Sequence, residues 1–235
     1  MVYQNVFQET FLSRPNRFIA EIEIFGVCEM CHVKNTGRCK ELLVPGARVY
    51  VDEVEKPERV TKYDLISVWK GNRIVNVDSQ APNKVFMEYL QSGQYIEGIT
   101  HMKREATHGN SRFDFYVEAG ERKIIIEVKG VTLESADVAY FPDAPTKRGV
   151  KHLKELTRCI QDGFEAHAVF VVKMHGIRHF SPNYATHPAF GKALVHAESA
   201  GVKITALHCL VTPDSLTING MLPMKLVPEC PGVIS

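Results

Sequence analysis

The chain has 235 residues, of which 45% are hydrophobic and 23% charged, as in ordinary globular proteins and unlike disordered or fibrous chains. Its 28 basic and 27 acidic residues leave a net charge of +1, so binding to a polyanion would require a local concentration of basic side chains. The start of the chain shows no secretory signal pattern, and eighteen apolar residues never run together. We therefore expect a cytoplasmic protein with no membrane-spanning helix and no membrane partner.

Residues 17 to about 80 predict a small β-barrel. Five segments in this part alternate in polarity or are rich in β-branched and aromatic residues, namely "RFIAEIEIFG", "VCEMCHVKN", "ARVYVDEVE", "KYDLISVWKG" and "RIVNVDS". The segment "NTGRCKELLVPG" interrupts them with a short helical turn. Five short strands with one helical interruption are typical of an OB-like barrel, and we assign residues 1–80 to such a domain.

Residues 81–235 predict a second domain in which helices and strands are mixed. Apolar spacing predicts the following order: a helix at 83–92, strands at about 96–106, 112–118 and 123–129, a helix in "TKRGVKHLKELTRCIQDG", a strand in "AHAVFVVKM", a helix around 187–199, a strand in "VKITALHCL" and a short tail hairpin. This order is typical of an α/β sandwich with a mixed central sheet. The predicted fold class is therefore α/β in the wide sense (α+β), a barrel followed by an α/β domain.

The segment "CEMCH" at residues 28–32 matches the spacing for covalent haem attachment, and with Cys39 it also suggests a zinc knuckle. Alternation along a strand, however, puts Cys28 and His32 on one face and Cys31 on the other. A single straight strand cannot direct all three side chains at one metal, so we expect reduced structural thiols.

The segment "IIIEVKG", residues 124–130, combines a buried strand with two opposite charges at its end. Glu127 and Lys129 are two residues apart and therefore share a face. Asp114 stands thirteen residues before Glu127, across a turn in "EAGER". A loop of two or four residues in this hairpin puts Asp114 on the same face as Glu127, whereas a regular three-residue loop puts it on the other face.

Two neighbouring carboxylates in a half-buried place suit a hard divalent cation such as Mg²⁺ or Mn²⁺, with the backbone carbonyl of Val128 as a third ligand. Such an ion acidifies water and leaves positions open for phosphate oxygens, and Lys129 would orient the water or offset charge on phosphorus. Glu105, at the end of the preceding strand, is a candidate third acid. The alternative is a surface ion pair between Glu127 and Lys129, with Asp114 and Glu105 unrelated to it.

A phosphodiester substrate would also need basic side chains to hold it. Three lie at the start of the second helix, Lys147, Arg148 and Lys151, and helix N-terminal amides favour phosphate. Candidates elsewhere are Arg112 and, in the barrel segment "KNTGRCK", Lys34, Asn35, Arg38 and Lys40. The alternative for the basic residues of the helix and of the barrel is that they are ordinary solvent-exposed charges with no ligand.

The sequence resembles the sugar fermentation stimulation protein A (SfsA) family. The resemblance is carried by "HVKNTGRCKELLVPGA", "GNSRFDF", "IEVKGVTL" and "FPDAPTKRGVKHLKEL" and runs through nearly the whole chain. It implies an OB-type domain followed by a nuclease domain of the PD-(D/E)XK superfamily, and nucleic-acid binding linked to sugar use in bacteria. Asp114, Glu127 and Lys129 match the superfamily's D…ExK pattern and Glu105 matches its helper acid less securely, whereas the cysteines are outside the family pattern.

Two functions follow as hypotheses. The first is a nuclease that uses Mg²⁺ or Mn²⁺ to hydrolyse phosphodiester bonds of DNA or RNA. The second is a DNA-binding regulator of sugar (maltose) metabolism genes that does not cut its target. An interaction module without nucleic acid is a third reading. The presence of all three D…ExK groups favours the first hypothesis. The sequence leaves the oligomeric state open, with a homodimer as one option.

Overall fold

A computed structural model describes residues 1–35, 37, 39–55 and 58–227. Its N-terminal part is the predicted OB barrel, closed because the third strand pairs with both the second and the fifth. The strands are β1 (Val6–Ser13), β2 (Ile19–Ile24), β3 (Val27–Val33), β4 (Arg48–Glu53) and β5 (Tyr63–Lys70), and β6 (Arg73–Asn76) extends from β5 as a hairpin.

Alternation along the strands fills the barrel as the sequence predicts. In β2, Ala20 and Ile22 are buried whereas Glu23 is exposed. In β3, Cys31 is buried and Cys28 is exposed, so the two thiols lie on opposite sides of the barrel wall. The first strand, β1, was not predicted, because Phe11 is its one buried residue and no alternating pattern results.

The C-terminal part is built on a mixed six-stranded sheet in the order β15-β14-β12-β9-β8-β7. The strands are β7 (Ile99–His108), β8 (Ser111–Ala119), β9 (Arg122–Val131), β12 (Glu165–Val172), β14 (Lys203–Val211) and β15 (Leu216–Leu222). The strand β12 is parallel to β9 and β14, and the remaining neighbours are antiparallel. This is the predicted mixed sheet, with the tail hairpin forming its edge.

Helices cover both faces of the sheet. On one face α1 (Ala81–Gln91) packs Phe86 against Phe115, with ring centroids 5.7 Å apart. On the other face lie α2 (Lys147–Gln161) and its neighbour α3 (Pro188–Ser199). None of the helices within the described residues combines the length and the apolarity that a bilayer crossing requires.

A small third sheet, in the order β10-β11-β13, was not predicted. It consists of β10 (Leu133–Ser135), β11 (Val138–Phe141) and β13 (His179–Pro182). The residues before α2 carry no strand signal, because strands of three or four residues are too short to display a period of two. The two strands β11 and β13, which pair with each other, are also far apart in sequence.

The barrel and the C-terminal part are joined by polar contacts. Asn76 N donates to Lys173 O at 3.0 Å, and Lys173 Nζ donates to Asp78 O at 2.8 Å. A salt bridge of 2.8 Å joins Lys70 of β5 to Glu134 of β10. The end of the barrel is therefore bonded directly to the residues that follow β12 and β9.

Candidate active site

The β8–β9 hairpin adopts the register that brings Asp114 and Glu127 together. Its turn has two residues, because Ala119 pairs with Arg122, and Gly120 between them has φ = 62°. Glycine adopts this left-handed conformation without steric cost. The pairs run from this turn to Phe115 and Ile126, and beyond them Asp114 Oδ2 accepts a hydrogen bond from the backbone N of Val128, the residue after Glu127. This is the register that the sequence predicts for a two-residue loop.

Both oxygens of the half-buried Asp114 carboxylate accept hydrogen bonds. Asn83 Nδ2, in the first turn of α1, donates to Oδ1 at 2.7 Å, and Val128 N donates to Oδ2 at 2.7 Å. Burial raises the pKa of Asp114, and the negative charge of Glu127 raises it further, against these two bonds and the charge of Lys129. Burial is therefore the main cause of the upward pKa shift, and the charge of the neighbouring Glu127 carboxylate is the second.

The two oxygens of Glu127 have different surroundings. The residue is 4% exposed, and its Oε1 accepts hydrogen bonds from Lys129 Nζ and from His152 Nδ1. Its Oε2 is buried and has no hydrogen-bond partner among the described residues. Burial alone would raise the pKa of Glu127, but the His152 hydrogen bond and the charge of Lys129 outweigh it, so the net shift is downward.

A divalent cation fits this arrangement. A buried carboxylate oxygen without a partner is rare in folded proteins and calls for an explanation, and a cation at Glu127 Oε2 supplies one. Within the described residues no group of three or more His, Cys, Asp or Glu side chains forms a metal shell. Mg²⁺ commonly takes only one or two carboxylates and completes its shell with water and substrate oxygens. A shell made by Asp114, Glu127 and the Val128 carbonyl would be of this kind, with water and substrate as the remaining ligands.

His152 contacts Glu127 from another element, α2, and was not predicted as a site residue. His152 is 6% exposed on α2, and its Nε2 accepts from Arg148 Nε at 3.3 Å. The sequence does indicate that His152 is buried. It is three residues after Gly149 and four before Leu156, the spacing of residues on one face of a helix, and all three are buried. The predictions for α2 rested on its apolar stripe and its basic residues and gave this histidine no role.

Glu105 is not brought to the site. It lies opposite Asp114 on β7, between the pairs Arg104–Phe115 and Ala106–Phe113, but its side chain is 67% exposed. Its φ of 53° departs from strand geometry. The Glu105 carboxylate lies 3.7 Å from the exposed Arg112 guanidinium.

The predicted basic residues of α2 lie at the start of the helix that carries His152. Lys147, Arg148 and Lys151 are exposed in the first turns of the helix, whose N-terminus is capped by Thr146 Oγ1, which accepts from Gly149 N at 2.9 Å. Lys151 Nζ donates to Asn110 O in the β7–β8 turn at 3.1 Å. The helix that carries His152 to Glu127 thus also presents three cationic side chains to solvent.

The barrel residues proposed to bind phosphate are partly engaged in contacts within the protein. Lys34 is only 18% exposed and forms salt bridges to the buried carboxylates of Asp64, at 2.6 Å, and Asp78, at 3.7 Å. Asn35 is used within its loop, where its Oδ1 accepts from Gly37 N at 2.8 Å. Lys40 is exposed. The prediction for Arg38 lies outside the described residues.

Family profiles match both parts of the chain. Residues 12–77 match the SfsA N-terminal OB domain, and residues 80–215 match the sugar fermentation stimulation protein RE domain. The chain belongs to the SfsA family. The sugar fermentation stimulation protein homolog of Desulfitobacterium hafniense is 58% identical over 227 residues, which cover 97% of this chain and 99% of the relative. The homolog of Clostridium beijerinckii is 53% identical over 226 residues, 96% of this chain and all of the relative.

A solved SfsA structure supports the same assignment. The SfsA of Pyrococcus furiosus, solved in complex with Ca²⁺, is 30% identical and superposes with a TM-score of 0.87, covering 96% of this chain and 98% of that one. This SfsA-family protein therefore shares the two-part architecture across its length.

Proposed function

We propose that this SfsA-family protein is a metal-dependent nuclease that uses Mg²⁺ or Mn²⁺ to hydrolyse phosphodiester bonds of DNA or RNA. One observation carries the proposal: Asp114 accepts a hydrogen bond from Val128 N, next to Glu127 on β9, and the buried Glu127 Oε2 has no partner among the described residues. An ion pair between Glu127 and Lys129 alone would not explain why two carboxylates lie close together, nor why the buried Glu127 Oε2 has no partner among the described residues. The solved relative in complex with Ca²⁺ adds support for a divalent cation in this family.

In this proposal Asp114, Glu127 and the Val128 carbonyl hold the cation, which supplies Lewis-acid polarisation of the phosphodiester. Lys129 keeps its ammonium beside Glu127, where it orients water and offsets negative charge on the reacting phosphorus. Glu105 takes at most an accessory part, because its carboxylate is exposed and paired with Arg112.

Nucleic acid would approach along the start of α2. The exposed side chains of Lys147, Arg148 and Lys151 supply the phosphate contacts there, and Arg112, exposed on β8, is a further candidate contact. On the barrel, Lys40 remains a candidate contact, whereas Lys34 serves its internal ion pairs.

The outer wall of the barrel is unsuited to a polyanion. Glu21 and Glu23 of β2 point outward, alternating with the buried Ala20 and Ile22, and the neighbouring strands β1 and β3 add the carboxylates of Glu9 and Glu29. The pKa of Glu9 is raised by burial and by the charge of Glu23, as expected where carboxylates cluster. We therefore place the path of the nucleic acid near α2 and away from the wall formed by β1, β2 and β3.

A cleavage assay tests the proposal. Labelled single- and double-stranded DNA and RNA are incubated with the protein in Mn²⁺, Mg²⁺ or EDTA, next to Asp114→Asn and Lys129→Ala. The proposal predicts cutting that needs metal and is lost in both variants. Tight binding with no cutting in any metal would overturn it and would favour the regulator of sugar metabolism genes instead.

A further inference from the structure

A cavity of about 360 Å³ lies where the barrel meets the C-terminal part, large enough for a small ligand. Its walls combine polar and apolar groups from both parts, among them Asn35, Pro82, Thr132, Phe141, Asp143 and Lys173. None of the residues to which the proposed hydrolysis assigns a role lines it.

The cavity is nevertheless next to the candidate active site. Its wall residue Gly130 follows Lys129 on β9, three residues and about 10 Å along the strand from Glu127. Pro82, also in the wall, precedes Asn83, which holds Asp114. A polymer whose phosphate lies between the two carboxylates would therefore carry an adjoining nucleotide to this cavity.

The most buried polar group of the cavity is the ammonium of Lys173. The residue is 2% exposed, and its Nζ donates one hydrogen bond, to Asp78 O at 2.8 Å. An ammonium has three donors, and the other two have no hydrogen-bond acceptor among the described residues. Leaving donors of a buried charged group unused is unfavourable, so a ligand that accepts from them would be stabilised.

Gly130 makes room for Pro82 at this wall of the cavity. A Cβ atom at residue 130 would lie 2.6 Å from Pro82 Cγ, which is too close, and 3.4 Å from Lys173 Cε, which is an ordinary contact. The absence of a side chain at residue 130 therefore lets Pro82 lie against the backbone of β9, with Lys173 next to the same residue.

A carboxylate on the other side restricts the ligand's chemistry. Asp143 is exposed and lines the cavity, with its Oδ2 close to Gly37, 2.9 Å from where a Cβ of that glycine would be. It makes no salt bridge or hydrogen bond with the described residues. A free phosphate would be repelled by this carboxylate, whereas a neutral heterocycle with both N–H donors and carbonyl or ring-nitrogen acceptors would satisfy Asp143 and Lys173 together.

We propose that the cavity binds one unstacked nucleobase of the nucleic acid, next to the phosphodiester that is cut. The inference rests on the proposed function, because it takes the substrate to be a nucleic acid held at Asp114 and Glu127. Lys173 donates to an acceptor of the base and Asp143 accepts from its N–H groups, while Pro82 and Phe141 supply apolar wall. Enzymes that take a base out of the stack read it in a pocket by contacts of this kind.

The test uses single-stranded oligonucleotides that carry 2-aminopurine at successive positions, added to the full-length protein in EDTA so that nothing is cut. Binding is followed separately by the anisotropy of an end label. We expect the 2-aminopurine fluorescence to rise about threefold or more at one or two positions, since the base leaves its stack. Lys173→Met and Asp143→Asn should each remove most of that rise while the anisotropy titration changes by less than about threefold, because phosphate contacts dominate affinity.

Lys192→Met, a change of an exposed lysine on α3, is the matched control and should behave as the wild type. The exposed Asp143 keeps the test decisive should Lys173→Met unfold. No fluorescence rise at any position, or a rise that persists in Asp143→Asn and in a folded Lys173→Met, would overturn the base pocket. Failure of the proposed hydrolysis would instead appear as absent cleavage in Mn²⁺ or Mg²⁺, a separate readout.

Discussion

His152 donates a hydrogen bond to Glu127, and the direction of that bond is set by Arg148. The guanidinium of Arg148 can only donate, so His152 Nε2, 3.3 Å from Arg148 Nε, must be the acceptor. The ring proton is then on Nδ1 and is donated to Glu127 Oε1. One oxygen of Glu127 is thereby held by the protein, and Oε2 is left for a ligand.

His152→Ala should lower metal-dependent cleavage by about 10- to 100-fold, the usual range when a residue that orients a metal ligand is removed. The loss should appear as a higher Mn²⁺ concentration for half-maximal rate, because Glu127 is no longer held. His152→Asn keeps an N–H near the position of Nδ1 and should recover part of the activity. Equal metal dependence in His152→Ala and the wild type would show that His152 merely packs.

Lys129→Ala should abolish cutting and leave nucleic-acid affinity within about threefold, because affinity is carried mainly by phosphate contacts elsewhere. Lys123→Ala is the matched control, since Lys123 is on the same strand and exposed, and it should cut normally. Cleavage rates and filter-binding affinities are measured for both variants. A Lys129→Ala protein that cuts at the wild-type rate would remove this lysine from the chemistry.

Lys147→Ala and Lys151→Ala should weaken binding to all sequences alike. Each should reduce the slope of log affinity against log salt concentration by about 1, the effect expected when one phosphate contact is lost. The slope is obtained from titrations at several salt concentrations, with Lys192→Ala on α3 as the comparison. Unchanged slopes in both α2 variants would mean that the nucleic acid takes another path.

The buried Lys173 should make stability depend on pH. Burial lowers the pKa of Lys173 to about 8 from its ordinary 10.5, although the charge of Asp78 opposes the shift. Unfolding therefore takes up a proton between these values, and the stability contributed by this group rises with pH through that window and falls as pH drops toward 8.

Lys173→Met removes this dependence. The free energy of unfolding of the wild type, relative to the variant, should increase by about 2 kcal/mol from pH 7.5 to pH 10. Urea unfolding at the two pH values measures the difference, and Lys192→Met should show no such change. A difference that stays constant would mean that the pKa of Lys173 in the folded protein stays near its ordinary value, so that burial does not lower it.

The proximity of Asp114 and Glu127 could be predicted from the sequence because it is local. Asp114 and Glu127 belong to one hairpin, and a two-residue turn with Gly120 determines which face each side chain takes. The barrel strands β2 and β3 could likewise be predicted from the alternation of polar and apolar residues. The helix α2 could be predicted from its apolar stripe.

The remainder depends on contacts between residues far apart in sequence. The strand β11 exists through its pairing with β13, and the role of Lys34 is decided by Asp64, thirty residues later and buried. His152 reaches Glu127 only once α2 has packed on the sheet. The periodicity of a sequence carries no information about such long-range contacts, so they could not be predicted from it.

The central claim is that the hairpin gathers Asp114 and Glu127 into a divalent-cation site. Crystals of the wild-type protein soaked in Mn²⁺ test it directly through the anomalous signal of the ion. The account predicts a peak roughly 2 Å from Glu127 Oε2 and from an Asp114 oxygen, absent from crystals of the Asp114→Ala/Glu127→Ala variant. An ion bound elsewhere, or no ion at this pair under the same soak, would contradict it.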